Sequence, residues 1–134
     1  MASAAAKSDR LVKFTIFFKK RDDISYDKFH KYWSETHARI FLSLPIVRQK
    51  LVKYYQYHSD KSVDVSKLKG FTNVLGYDGV GVFCTRTFED LEAIFTDEEF
   101  IRIAVPDGAE IFDLDAAVVM IGWDEEKWEN GKAL

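Results

Sequence analysis

The order of elements predicts an α+β fold of ferredoxin-like βαββαβ topology, a four-stranded antiparallel sheet with both helical segments on one face. Two strand–helix–strand runs fit within 134 residues. The first strand is apolar on both of its faces, and the helix after it carries one apolar stripe.

Leu11 to Lys19 reads as the first strand, rich in β-branched and aromatic residues. Arg21-Asp22-Asp23 is a polar turn, and Ser25 is placed to cap a helix running to about Leu44, where Pro45 ends or bends it. At 100° per residue Tyr26, Phe29, Trp33, Ile40 and Leu44 share a stripe, with His37 near its middle and His30 nearer its edge. Ile46 to Lys53 leads into a second strand at Tyr54–His58. Residues 59–73 read as a long mobile loop, either a lid or an insertion. Val80–Thr85 is the third strand. Thr87 caps a helix through Phe95, and a further helical piece begins at Thr96 and stops before a turn at Pro106-Asp107-Gly108. Ala116–Trp123 is the fourth strand. Residues 1–9 read as a disordered tail, 10–124 as the domain, and 125–134 as a polar tail. Because the strands stay apolar on both sides, the sheet face away from the helices needs a cover, and a second copy of the chain is the simplest one.

Composition narrows the function. The net charge is −3 and no basic stripe occurs, which argues against nucleic acid; no apolar run is long enough for a membrane helix. The N-terminus lacks the apolar core of a secretory signal, and Lys132-Ala133-Leu134 is a poor peroxisomal signal. The single cysteine, Cys84, lies in an apolar strand, reads as a buried inert thiol, and suits a reducing, cytoplasmic setting. Aromatic residues reach 15%, which fits a pocket for a flat apolar ligand or a large subunit interface. No cofactor is expected: Gly79-Val80-Gly81 lacks the third glycine and following helix of a dinucleotide loop. No metal is expected either, because His30 and His37 are two helical turns apart and no cysteine pair occurs.

The segment Phe29 to His37 is the most informative. His37 follows Trp33 by one turn and so enters the apolar layer, where an unpaired ring nitrogen is costly. It is therefore either a satisfied core histidine or a pocket acid/base. His58 shares a strand face with Tyr54 and Gln56 and either reaches the same pocket or ends the strand in water. Asp107 belongs to a turn, orients a histidine or binds a substrate hydroxyl.

The pattern Phe29-x-x-Tyr32-Trp33-x-x-x-His37 resembles the helix-one signature of the EthD family, a branch of the dimeric α/β-barrel superfamily. Lys13 to Lys20 is similar to that family's first strand, and Pro106-Asp107 with Phe112 and Asp113 resembles its motif before the last strand. The resemblance spans about Val12 to Gly122 and is strongest to short fungal members of aromatic polyketide pathways, some of them decarboxylases of atrochrysone carboxylic acid-like precursors. It implies a homodimer closing a dimeric α/β barrel. It implies a pocket in which His37 is the acid/base and Phe29 and Trp33 form a wall, with His58 and Asp107 as further catalytic candidates. Ile40, Phe83, Tyr55 and Tyr57 complete the expected substrate contacts. The expected activity is cofactor-free decarboxylation of an aromatic polyketide acid, whose ring system holds the developing enolate charge. Cyclisation or dehydration, and direct oxygenation by O₂, are alternatives on the same scaffold. A non-catalytic module carrying a small hydrophobic molecule is the alternative of another class.

Overall fold

The computed structural model describes residues 10–134; the tail expected over 1–9 lies outside the described residues. The elements run β1 (Val12–Lys20), α1 (Tyr26–Lys31), a π-helical turn (Tyr32–His37), α2 (Ala38–Ser43), α3 (Pro45–Lys50) and β2 (Leu51–His58). After a long loop come β3 (Gly79–Thr85), α4 (Phe88–Phe95), a second π-helical turn (Phe100–Ala104), α5 (Val105–Gly108) and β4 (Phe112–Gly122). The sheet order is β2-β3-β1-β4 with every pair antiparallel, the expected ferredoxin-like arrangement.

Ser25 and Thr87 cap their helices by accepting from the Lys28 and Asp90 amides. Pro45 ends α2 by holding Leu44 extended and then serves as the first residue of α3, a helix placed where the sequence suggested only a lead into β2. The later helical run does not stop before Pro106. It passes through that proline into α5, whose junction with the π turn falls where the missing N–H does least harm.

The first π turn changes which residues face the core. The Ala38 amide bonds back five residues, to the Trp33 carbonyl, which inserts one residue into the helical repeat. Phe29, Trp33 and Phe41 are thereby buried, whereas Ile40 is only half-buried. Tyr26 also leaves the expected stripe; it is exposed, with the Lys20 and Lys61 ammoniums over its ring.

Two aromatic clusters fill the space between sheet and helices. Phe41, Leu44, Val47, Phe83, Leu91, Ile94 and Ala104 form one. Phe18, Phe29, Trp33, Ile111 and Phe112 form the other, with Phe18 stacked on Phe112 at 3.8 Å. Gly79 makes the second cluster possible: a Cβ there would stand 2.4 Å from Trp33 Cζ3.

The opposite sheet face carries Lys13, Thr15, Phe17, Tyr55, Tyr57, Val80, Val82, Val118 and Met120 by strand alternation. Tyr57 is 67% and Met120 68% exposed, so this apolar face is largely open in the single chain. Cys84 lies on the same side, buried, and burial pushes its thiol pKa up, as suits an unreactive cysteine. Residues 125–134 are exposed as expected of a polar tail, yet they form a hairpin, β5 (Trp128–Glu129) with β6 (Lys132–Ala133). Its turn is Asn130-Gly131, both at positive φ.

Candidate active site

Between the π turn, the second helical layer and the sheet lies an apolar cavity of about 240 Å³. Phe18, Trp33, Phe41, Phe83, Phe100 and Phe112 form much of its wall, with Ile16, Phe95, Leu114 and Ala117 beside them. Among the described residues the only acid–base side chains on the wall are His37 and Tyr54, and neither lysine nor arginine contributes.

His37 sits at the end of the π turn, and its Nδ1 lies 2.7 Å from Asp107 Oδ2. Both side chains are nearly buried, at 13% and 11% exposure, so this contact is poorly screened. A carboxylate only accepts, so Nδ1 carries the hydrogen and Nε2 is left as the basic nitrogen of a ring that lines the cavity. Asp107 is fixed from its other side by the Tyr32 hydroxyl, which donates to Oδ1 at 2.5 Å. That bond, with burial added, pushes the Tyr32 pKa up to about 12. Gly108 packs closely under Phe112, where a Cβ would stand 3.3 Å from Cδ2, and a Cβ there would meet His37 Cε1 only at ordinary contact distance, 3.5 Å. The unit Tyr32–Asp107–His37 thus holds one tautomer in one orientation, the arrangement a general base requires.

The other expected site residues distribute differently. Trp33 and Phe83 line the cavity. Phe29 does not; it is fully buried behind Trp33, against Phe112. Ile40 is displaced from the wall by Phe41 because of the extra residue in the π turn. Tyr55 and Tyr57 point to the opposite side of the sheet, one strand position out of phase with Tyr54. Their place in the wall belongs to Tyr54, which strand alternation groups with Gln56 and His58.

His58 also lies outside the cavity, screened from it by Trp33, whose ring centroid is 4.6 Å away. It meets His30 instead, the two Nδ1 atoms 2.6 Å apart, and its Nε2 lies 2.9 Å from Gln56 Oε1. Burial first, and the His30 charge second, lower the His58 pKa. Among the described residues no three His, Cys, Asp or Glu side chains converge on a point that would hold a metal. Nor does the loop over 59–73 close the cavity; it borders a separate recess lined by Phe17, Tyr57 and Tyr77.

Comparison with known proteins places these features in a family. The chain is 27% identical over 123 residues to the dehydratase CTB10 of Cercospora beticola, covering 88% of this chain and 92% of that protein. It is 24% identical to the conidial pigment biosynthesis dehydratase EthD of Metarhizium robertsii, covering 98% and 95%. A dimeric protein of ferredoxin-like fold from Bacteroides fragilis superposes with a TM-score of 0.58 at 16% identity, over 85% of this chain and 96% of its own. The EthD domain model matches residues 21–115, from the turn before α1 into β4, and the chain belongs to the EthD family.

Proposed function

We propose that the chain is a cofactor-free dehydratase that removes water from a neutral, aromatising polyketide ketone in secondary metabolism. The observation that carries this reading is the Asp107-held His37 on an apolar cavity whose wall, among the described residues, has no cation. A carboxylate substrate would be buried there with no lysine or arginine among the described residues of the wall to pair it, at high cost, which disfavours the decarboxylation the sequence suggested first. A β-hydroxy ketone carries no charge to desolvate. The dehydratase names of the fungal relatives agree with this preference.

His37 Nε2 takes the proton on the carbon between carbonyl and carbinol, and the electron pair moves onto the carbonyl oxygen as an enolate. The enolate then collapses, forming the carbon–carbon double bond while the β-hydroxyl leaves. The departing oxygen takes the proton back from the His37 imidazolium and is released as water, so the step is neutral overall. Asp107 steadies the imidazolium while it exists, through a charge-assisted bond. Aromatisation of the product supplies the driving force.

The test is incubation of the purified protein, in air and without O₂, with paired aromatic β-hydroxy ketones and β-keto acids, followed by mass spectrometry. Loss of one water from the ketones in both atmospheres, abolished in a folded His37→Gln variant, is expected. Loss of CO₂ from the acids alone, O₂-dependent gain of oxygen, or full turnover by His37→Gln would each overturn the reading.

The working form is a homodimer joined through the open sheet face, where Tyr55, Val118 and Met120 need cover. The dimeric fold relative supports this. Wild-type protein is expected to sediment as a dimer and Met120→Lys as a monomer; a monomeric wild type refutes it.

A further inference from the structure

Tyr54 is the second polar group on the cavity wall, and its hydrogen-bond partners can be assigned from chemistry alone. Gln56 Nε2 lies 3.0 Å from the Trp33 carbonyl, which can only accept, so the amide nitrogen faces that way. The same nitrogen donates to the Tyr54 hydroxyl oxygen at 2.8 Å. Gln56 Oε1 then faces His58 Nε2, which must carry hydrogen to donate to it. In a neutral His58 ring Nδ1 is consequently bare, and His30 Nδ1–H donates to it. The chain His30, His58, Gln56, Tyr54 therefore runs in one direction and terminates on the Tyr54 oxygen as an acceptor.

No acceptor among the described residues takes the hydroxyl's own proton, and the cavity beside it is walled chiefly by phenylalanines. A polar hydrogen in such a place is costly until an acceptor reaches it. Burial raises the Tyr54 pKa and so keeps the proton on the hydroxyl, with Gln56 first and Trp33 second opposing it.

We infer that Tyr54 is the cavity's hydrogen-bond donor to a ligand ketone oxygen, held in that role by Gln56, His58 and His30. This rests on the reading of the cavity as a ketone site and adds the group that recognises the carbonyl. His37 then works on the carbon beside it, while Tyr54 strengthens its bond as the oxygen acquires enolate charge. Gln56 and the two histidines are positioning residues that never touch the ligand.

The experiment needs no turnover, so it stands apart from the dehydration assay. 1-Tetralone and tetralin have nearly one shape, and only the former has a carbonyl. Binding of each is measured by calorimetry, and the carbonyl stretch of bound tetralone by infrared difference spectroscopy. Wild-type protein is expected to prefer tetralone by roughly five- to tenfold, the worth of one hydrogen bond, with the stretch shifted to lower frequency. Tyr54→Phe should bind tetralin as before and lose both the preference and the shift, whereas His37→Gln keeps both. A preference and shift that survive in Tyr54→Phe, a loss confined to His37→Gln, or absence of any tetralone preference in the wild type would overturn the assignment.

Discussion

Replacing Gly79 by alanine is expected to strain the wall of the cavity without touching any polar group. The added Cβ would stand 2.4 Å from Trp33 Cζ3, 2.8 Å from Cη2 and 3.2 Å from Cε3, so the indole must retreat by about an ångström to reach ordinary contact. It has nowhere easy to go. Trp33 is 1% exposed, and His58, Phe29, Phe112 and Phe18 surround it at centroid distances of 4.6, 5.6, 5.8 and 6.1 Å. Overpacking of this kind costs about 1–3 kcal/mol. In a chain of this size that lowers Tm by roughly 5–15 °C. Thermal unfolding followed by tryptophan emission is informative because Trp123 and Trp128 are exposed and Trp33 alone is buried. A double-mutant cycle isolates the contact: in a Trp33→Phe background the ring edge is gone, and Gly79→Ala should cost under about 0.5 kcal/mol. Gly79→Ala protein as stable as the wild type, with unchanged emission, would refute the packing argument.

Asp107→Asn keeps the shape of the histidine's partner and removes its charge, so turnover should fall at least about tenfold while circular dichroism stays native; steady-state rates on a dehydrating substrate check this. Phe41→Ala should cost about 3–5 kcal/mol and Ile40→Ala about 1 kcal/mol, in urea titrations, because the π turn buries the former and not the latter. The lowered His58 pKa means that the unfolded chain binds more protons there than the folded one below its ordinary value of 6.5. The stability this group contributes is therefore present above that pH and lost as pH falls, and His58→Gln should flatten the decline of Tm between about pH 7 and 5; equal slopes in both proteins would contradict it.

Elements whose signals are local were readable in the sequence. β1 and β3 announce themselves by β-branched and aromatic runs, Ser25 and Thr87 by their capping chemistry, and Pro45 by the helix it must stop. What escaped the sequence has three physical sources. A 3.6-residue period has no place for an inserted residue, so it puts Ile40 on the stripe where the structure has Phe41. Along β2 the alternation groups Tyr54 with Gln56 and His58 and sets Tyr55 and Tyr57 opposite, and only the docking of helices on one face shows which parity meets the cavity. Asn130-Gly131 is a strong hairpin signal whose flanks are too short and polar to read as strands. The site itself joins residues 70 apart: His37 was a candidate from its helix and Asp107 from its turn, but their bond exists only once α5 packs over the π turn.

The π turn at Tyr32–His37 makes this stretch tolerant of a change in length as well as of altered letters. Ser34 and Glu35 within it are exposed. Deleting either one would remove the inserted residue and leave an ordinary α-helix, in which Phe41 follows Trp33 by seven positions instead of eight, the spacing of two α-helical turns. Phe41 and Leu44 would then keep their face toward the sheet together with Phe29 and Trp33. Among related chains, a gap of one residue here would therefore mark a protein that has lost the bulge and kept its core.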